Sequence, residues 1–390
     1  MIRNCEVCKS KKKLVIYKQK FYLINNKNFS YNICYCKKCY FIYAVHPYSS
    51  SKLEDYYKDN LTYSYQYNRG NIPEDAQKLN QASFYMIDNY FKKNYRQYKS
   101  KIKILDIGCG NGYLLSLFKK NKYKYCYGIE PSKLCSVFAK KKYKIRIIPK
   151  TLSEFRSKDK YDLIIFGSVL EHIKDLNKNI LKVKKLLKDK GIIFISVPDT
   201  SNFGKILKEP FLEFSLEHIN YFTKNSLNNL LLKHYFKNVK FKSLLLKNYG
   251  SYALNSLWIR TKKTIKIKKN KSDIKKIKSY IKKSELKLKN IKLKINKLVK
   301  TQEKIIVWGT GSLTSRLLAT TNLTKTNIQF FIDSDVNKQN SEINNTKIYS
   351  PKSLIKNINC SLFILSFVHS KEIEKTARNI YKFTRKIIKI

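Results

Sequence analysis

Residues 102–118 read IKILDIGCGNGYLLSLF, and the rest of the chain is organised around them. Ile102, Ile104, Leu105 and Ile107 form a short apolar run flanked by charges, the pattern of a strand buried in a parallel sheet. Asp106 closes that run, and Gly108, Gly110 and Gly112 follow in the order D-x-G-x-G-x-G. Tyr113, Leu114, Leu115, Leu117 and Phe118 then have the apolar density of a helix packed on a sheet. Strand, tight glycine turn and helix start together make a nucleotide pocket. Glycine lets the backbone turn sharply and lie close against a ligand, and the free N–H groups of the helix start face it.

A second signal stands downstream. Tyr125 to Ile129 reads as the next strand, and Glu130 ends it eighteen residues after Gly112. A carboxylate at that place can accept both hydroxyls of an adenosine ribose. The dehydrogenase spacing G-x-G-x-x-G is the competing reading and fails, because one residue separates Gly110 from Gly112 and position 113 is tyrosine. The wording LDIGCGNG followed by GIEPS resembles the class I S-adenosylmethionine-dependent methyltransferases. In that family a D/E-x-G-x-G-x-G turn and an acid after the second strand hold the cofactor. The resemblance implies an α/β, Rossmann-like core in which Asp106, Gly108, Gly110, Gly112 and Glu130 bind S-adenosylmethionine.

Length and charge bound the rest. A chain of 390 residues should hold two or three domains, and 43% hydrophobic residues suffice for real cores. The net charge of +54 looks at first like a nucleic-acid protein. The lysines, however, are spread along the whole chain beside abundant Ile, Asn and Tyr, so most of the charge reads as compositional drift on solvated faces. A polyanionic partner, phosphate-bearing substrates or a membrane surface would also profit from it. No apolar run approaches the roughly 18 residues of a membrane helix, and no signal peptide precedes the first cysteines, so a cytoplasmic protein is expected.

Nine cysteines, five of them within the first 39 residues, argue for a metal site rather than disulfides in such a chain. Cys5-x-x-Cys8 and Cys36-x-x-Cys39 are two hooks separated by a β-rich stretch, the layout of a four-thiolate zinc ribbon over residues 1–46. Cys34 stands two residues ahead of the second hook and is read as a bystander.

Residues 47–100 are rich in tyrosine (Tyr48, Tyr56, Tyr57, Tyr63, Tyr65, Tyr67), and Asn80 to Tyr98 has helical spacing with Phe84, Ile87, Tyr90 and Phe91 on one face. This resembles the helical segment that lids the cofactor in the family. Residues 101–260 carry the core. A helix is expected over Ser136–Lys142, strands over Lys144–Ile148, Tyr161–Phe166 and Gly191–Val197, and a helix over Leu176–Leu187. The family resemblance brings Thr151 and Leu152 to the adenine, although the acid often found there is absent. It also brings Ser168 and the run Val169-Leu170-Glu171-His172-Ile173 to the cofactor's side at the carboxyl end of the fourth strand.

The polar segment Glu213 to Thr223 includes Glu217-His218-x-x-Tyr221-Phe222. It resembles the stretch that supplies a histidine base in sugar C-methyltransferases, which implies His218 as general base, Glu217 as the group that orients it, and Tyr221 beside them. Histidine suits proton abstraction near neutrality, with an ordinary pKa of about 6.5. Glu171 and His172 are the second candidates. Ser215-Leu216 stands where those enzymes have Tyr-His, and a structural histidine capping the next helix is the bland alternative.

Thr261 to Lys304 is dense in lysine, and Ile274, Ile277, Ile281, Leu288, Ile291, Ile295 and Leu298 recur at three, four and seven residues, so 261–303 is expected to be a linker helix or helical hairpin. Residues 304–390 start a second α/β unit with a strand to Trp308, a turn Gly309-Thr310-Gly311-Ser312, a helix over Leu313–Thr320, a strand to Ile332 and then Asp333. This resembles the C-terminal Rossmann-like domain of the three-part sugar methyltransferases, and the resemblance implies Gly309, Gly311, Ser312 and Asp333 as candidates for the diphosphate end of a nucleotide-linked substrate. The order zinc ribbon, methyltransferase core, linker helix, second Rossmann-like domain resembles the three-part sugar methyltransferases. That resemblance implies a small-molecule acceptor, a nucleotide-linked sugar or surface-polysaccharide intermediate, and a monomer or homodimer, with nucleic acid not expected. An RNA methyltransferase and a non-catalytic nucleotide-sugar-binding protein are the competing readings.

Overall fold

The run at 103–107 is an interior strand of a seven-stranded sheet. In the computed structural model, which describes residues 3–24, 27–46, 48–49, 72–95, 99–262, 267–355 and 359–390, strands β1 (Lys13–Leu23), β2 (Lys27–Cys36) and β3 (Ile42–Val45) come first. Helix α1 (Glu74–Asn94) leads into β4 (Lys103–Ile107), α2 (Tyr113–Lys120), β5 (Tyr125–Ile129), α3 (Lys133–Tyr143) and β6 (Ile147–Ile148). The core continues with β7 (Tyr161–Gly167), α4 (Leu176–Leu186), β8 (Leu187–Pro198), β9 (Asn220–Tyr221), α5 (Lys224–Lys233), β10 (Phe236–Leu246) and β11 (Ser251–Arg260).

The sheet order is β10-β11-β8-β7-β4-β5-β6. Strands β8, β7, β4, β5 and β6 run parallel, while β11 enters antiparallel between β8 and β10. Chain order reverses between β4 and β7, so the carboxyl edge there is the crevice in which open α/β sheets bind ligands. Both faces are covered: Leu105, Ile164, Phe166, Ile193 and Ile195 belong to one apolar cluster, and Ile104, Leu163, Ile165, Ile192 and Phe194 to the other. The alternation along each strand places neighbours on opposite faces, as the period of two requires.

The observed elements correct several expected bounds. The third strand, expected over Lys144–Ile148, is only Ile147–Ile148, because Lys144 adopts φ +56° and closes the preceding helix. That helix begins at Lys133 rather than Ser136, with the Ser132 hydroxyl accepting from the Cys135 N–H at 3.4 Å. The helix expected over Asn80–Tyr98 begins earlier, at Glu74, with Pro73 ahead of it and two acids in its first turn, and ends at Asn94. Of the early tyrosines, Tyr56, Tyr57, Tyr63, Tyr65 and Tyr67 lie outside the described residues.

The chain groups into two units: residues 1–15, 34–203 and 217–277, and residues 16–33, 204–216 and 278–390. The polar stretch 213–223 is therefore divided, with Glu217–Thr223 in the first unit and Glu213 in the second. Helix α6 (Lys271–Thr301) is shorter than the expected 261–303 and keeps its stripe: Ile277, Ile281, Leu288, Ile291, Ile295 and Leu298 are buried. The second unit continues with β12 (Ile305–Trp308), α7 (Ser312–Thr320), β13 (Ile328–Ile332), β14 (Glu342–Ile343), β15 (Thr346–Tyr349), β16 (Ser361–Ile364), α8 (Ser370–Asn379) and β17 (Ile387–Lys389). Its sheet has the order β14-β15-β13-β12-β16-β17, parallel except for β14.

Candidate active site

The glycine turn after β4 and the acid after β5 are tied together. Glu130 Oε2 accepts the Gly110 N–H at 3.0 Å, and Oε1 accepts the Ser132 N–H at 3.1 Å. Each carboxylate oxygen has two acceptor sites, so one on each remains for a ligand hydroxyl. Burial raises the Glu130 carboxyl, opposed by the N–H groups of Ser132 and Gly110. Asp106 is 3% exposed and its carboxyl is pushed well up by burial and by the nearby Glu130 charge.

A cavity of about 350 Å³ opens at this edge. Its wall includes Gly108, Gly110, Glu130, Thr151, Leu152, Ser168 and His172, together with Asn111, Pro131, Lys174, Asp175 and Ser196. Ala76, Leu79, Asn80 and Ser83 of α1 cover it from one helical face, at the three- and four-residue spacing of such a face. Asp106 and Gly112 were expected to touch cofactor, and neither is among the residues lining this cavity. Gly112 instead forms the N-cap of α2.

Two glycines differ in what they do. At Gly108, with φ +66°, a Cβ would stand 2.6 Å from Val169 Cγ2, so the loop and the β7 edge meet too closely for a side chain. At Gly110 a Cβ would meet nothing within 4 Å, because the position opens onto empty space. The amide nitrogen of Asn111 and the hydroxyl of Ser196, both buried on the cavity wall, have no hydrogen-bond partner among the described residues. Buried polar atoms rarely stay unpaired, and a polar ligand in this cavity would satisfy them. Ser168 holds φ +58° at the same edge, a conformation uncommon for a non-glycine residue.

Beside the cavity Glu171, His172 and His218 gather, with one ligand-type atom of each lying within 4.8 Å of the others. The two imidazole centroids are 5.0 Å apart. His172 Nε2 lies 3.9 Å from Glu171 Oε1, and its Nδ1 stands 3.2 Å from the Glu217 carbonyl oxygen. A carbonyl oxygen only accepts, so Nδ1 carries the proton. Burial lowers the His172 pKa to about 4, against the raising effect of that carbonyl. The carboxylate gathered with the two rings is therefore that of Glu171, and Glu217 contributes its backbone. Tyr221 donates its hydroxyl to the His218 carbonyl at 2.8 Å, closing the loop on itself.

The four cysteines of the two hooks also converge, their sulfurs within 4.8 Å of one another. Cys5 and Cys39 sulfurs are 3.4 Å apart, as are those of Cys8 and Cys36, and Cys34 is buried outside the group. Each hook ends in the same turn: Lys9 (φ 61°) donates to the Cys5 carbonyl at 2.8 Å, and Tyr40 (φ 63°) to the Cys36 carbonyl at 2.9 Å. Four soft donors at this spacing fit a tetrahedral zinc ion, whose bonds of about 2.3 Å set sulfurs about 3.8 Å apart.

In the second unit Asp333 repeats the arrangement of Glu130. Its Oδ2 accepts the Thr310 N–H at 3.0 Å and the Thr310 hydroxyl, and Oδ1 accepts the Asp335 N–H at 2.9 Å. Burial alone would raise the Asp333 carboxyl, but Lys338 and the bonds from Thr310 and Asp335 outweigh it and hold the carboxyl below its ordinary value. Gly309 adopts φ +110°, while Gly311 and Ser312 open α7.

Residues 82–240 match the sequence model of a family described as a methyltransferase domain, and 301–388 match one described as C2185-like, N-terminal. The chain is similar to the ubiquinone biosynthesis O-methyltransferase of Pelagibacter ubique, 40% identical over 100 residues that make up 24% of this chain and 41% of that one. It is also similar to the (S)-coclaurine N-methyltransferase of Papaver somniferum, 25% identical over 134 residues, 32% of this chain and 37% of the other. The chain thus spans about two fifths of the length of these curated relatives. Among solved structures, the 1,6-didemethyltoxoflavin N1-methyltransferase of Burkholderia thailandensis aligns over 62% of this chain and 99% of its own, at 14% identity and a TM-score of 0.43. Residues 82–240, about two fifths of the chain, are thus a methyltransferase domain, and the sheet that carries them is α/β and Rossmann-like.

Proposed function

We propose that the protein transfers the methyl group of S-adenosylmethionine to a small-molecule acceptor, a nucleotide-linked sugar or a related surface-polysaccharide intermediate. The observation that carries the reading is the pairing of Glu130 with the Gly110 N–H at the cavity edge, which fixes the acid where an adenosine ribose would present its hydroxyls. Asn111 and Ser196 supply further polar contacts, and Thr151 and Leu152 the far wall. S-Adenosylmethionine, when bound, supplies an activated methyl on a sulfonium that is its own leaving group, so the protein's task is orientation and, where needed, a base. His172, neutral near pH 7, and His218 are the groups placed to take a proton from the acceptor, with Glu171 beside them.

The relatives named above methylate oxygen or nitrogen of small molecules, which favours a small acceptor here. The nucleotide-linked sugar rests on the second glycine turn, where Gly309, Gly311, Ser312 and Asp333 would hold a diphosphate and ribose, in a domain we read as a second Rossmann-like unit. The cysteine cluster is read as a zinc ribbon that holds the N-terminal strands together. Calorimetric titration of S-adenosylmethionine and S-adenosylhomocysteine into the zinc-loaded full chain, followed by nucleoside-diphosphate sugars in the same cell, tests both parts. Micromolar cofactor binding with a sugar nucleotide that binds more tightly afterwards is the expected result. Absence of cofactor heat would overturn the reading, and cofactor binding with silence from every sugar nucleotide would remove the acceptor class alone.

A further inference from the structure

The geometry points to a second metal centre in this protein, a divalent first-row transition ion held by Glu171, His172 and His218 at the edge of the cofactor cavity. Two of these ligands are neighbours after β7, and the third precedes β9, so the topology brings them together across about 45 residues. One oxygen and two imidazole nitrogens are the donor set of the two-histidine, one-carboxylate site, which suits zinc, iron, manganese or cobalt.

The tautomer of His172 supplies the decisive detail. Its Nδ1 must donate to the Glu217 carbonyl at 3.2 Å, so Nε2 bears a lone pair. That lone pair faces an oxygen of the Glu171 carboxylate at 3.9 Å. A cation seated between these two atoms and the nearby His218 nitrogen would draw on all three donors. A backbone carbonyl on the far nitrogen is also how metal-binding histidines are oriented. Donor atoms around a tetrahedral ion with bonds of about 2.0–2.2 Å stand about 3.4 Å apart. The observed spread, within 4.8 Å, closes onto such an ion by small torsional shifts.

His172 also lines the cofactor cavity, so an ion here would keep coordination positions toward the space an acceptor occupies. An acceptor oxygen, such as a sugar hydroxyl or vicinal diol, would fill them and become more acidic. That role rests on the function proposed above, whereas the binding of the ion does not. It would replace the proton-taking role given there to the two histidines, since a nitrogen that ligates the ion has no lone pair left for a proton.

The probe is Co²⁺, titrated into the full chain with zinc already on the cysteines. One equivalent is expected to bind, with visible d–d absorption and without the near-ultraviolet charge-transfer bands of thiolate ligands. His218→Ala and Glu171→Gln are each expected to weaken it about tenfold or more, with zinc content and circular dichroism unchanged. Unchanged Co²⁺ binding in both variants would overturn the site, as would thiolate bands or failure of the wild type to bind. X-ray absorption of the wild-type cobalt complex decides independently of whether the variants fold: two imidazoles support the site, none overturns it. Cobalt binding without cofactor binding would sink only the methyltransferase reading, and the reverse result only the metal centre.

Discussion

Arg3 reaches Asn220 across 217 positions of chain, its Nη2 donating to Asn220 Oδ1 at 2.6 Å. Its Nη1 donates to the carbonyls of Ala44 and Ile219 at 2.9 and 2.8 Å. Asn220 Nδ2 in turn donates to the carbonyls of Leu170 and Ile173 at 2.8 and 2.7 Å, the two residues that bracket Glu171 and His172. Strand β9 pairs with β3, Ile42 opposite Tyr221, so the segment carrying His218 is bound to the strand that leaves the second cysteine hook. The cysteine cluster and the histidine cluster are thus successive parts of one structure.

Replacing Arg3 by methionine should leave buried carbonyls without their charged donor. The expected loss is about 3 kcal/mol of stability, with looser positioning of His218. Urea denaturation read against the wild type checks it. A change under about 0.5 kcal/mol would show that the guanidinium is dispensable.

Chelation of the zinc proposed at the cysteines should have the same reach. Removing it takes away the cross-link between the two hooks, the second of which leads into β3, and β9 follows through β3. Hydrogen exchange at Ile219, Asn220 and Tyr221 should rise after chelation. Exchange confined to residues 5–40 would show that the two clusters are independent.

Glycine substitutions separate the loop's packing from its ligand. Gly108→Ala drives a methyl into Val169 at 2.6 Å, in a left-handed conformation, and should cost about 1–3 kcal/mol of stability. Gly110→Ala meets no protein atom and should cost about 1 kcal/mol for its φ of +51° alone, yet weaken cofactor binding about tenfold or more by projecting into the cavity. Thermal unfolding and calorimetry on the pair give the answer. Equal losses of stability with equal affinities would contradict it.

How much of this the sequence carried depends on the range of the interaction. The strand, turn and helix of 102–118 are local and periodic, and β4 and α2 lie there. The acid at 130 sits at a fixed distance along the chain, and so do the two cysteine hooks. What stayed hidden was β10 and β11, of which β11 is buried without alternation from Ala253 to Trp258, and the Arg3–Asn220 link. A buried arginine serving carbonyls from residues 44 and 219 leaves no periodic trace, because its partners are backbone atoms that every residue has. Glu217 and Glu171 were both legible as candidates beside a histidine, but that the fold brings Glu171 and His172 to His218 was not, because 46 residues separate the two histidines.

Acid should loosen the first unit. Burial lowers the pKa of His46 to about 4, with the charges of Lys174 and Arg3 adding to it. Burial does the same to His234, also to about 4, with Lys233, Lys184 and Lys9 adding and Glu6 opposing. Both are neutral in the folded protein and titrate near 6.5 when unfolded, so the unfolded chain binds more protons between those values. Stability is then full above about pH 6.5 and falls as pH drops toward 4, by up to about 3 kcal/mol for each histidine. Denaturation at pH 7 and pH 5 measures the slope, and His46→Gln with His234→Gln should lessen it, leaving the share of His172, which burial also lowers to about 4. An unchanged slope in the double variant would place the acid sensitivity elsewhere.

The two carboxylates that close the two glycine turns invite a paired test. Glu130 Oε2 holds the Gly110 N–H and Asp333 Oδ2 holds the Thr310 N–H, both at 3.0 Å, but only Thr310 adds a hydroxyl to its acid. That hydroxyl occupies an acceptor site which on Glu130 stays available to a ligand. Glu130→Gln should therefore lower S-adenosylmethionine affinity about tenfold or more, since a carboxylate accepting two hydroxyls is replaced by an amide that accepts on one side only. Asp333→Asn should leave that affinity unchanged and lower the affinity for a sugar nucleotide if the second turn is its seat. Calorimetry on both variants with both ligands is decisive. A loss of cofactor binding in Asp333→Asn, or none in Glu130→Gln, would reverse the assignment of the two turns.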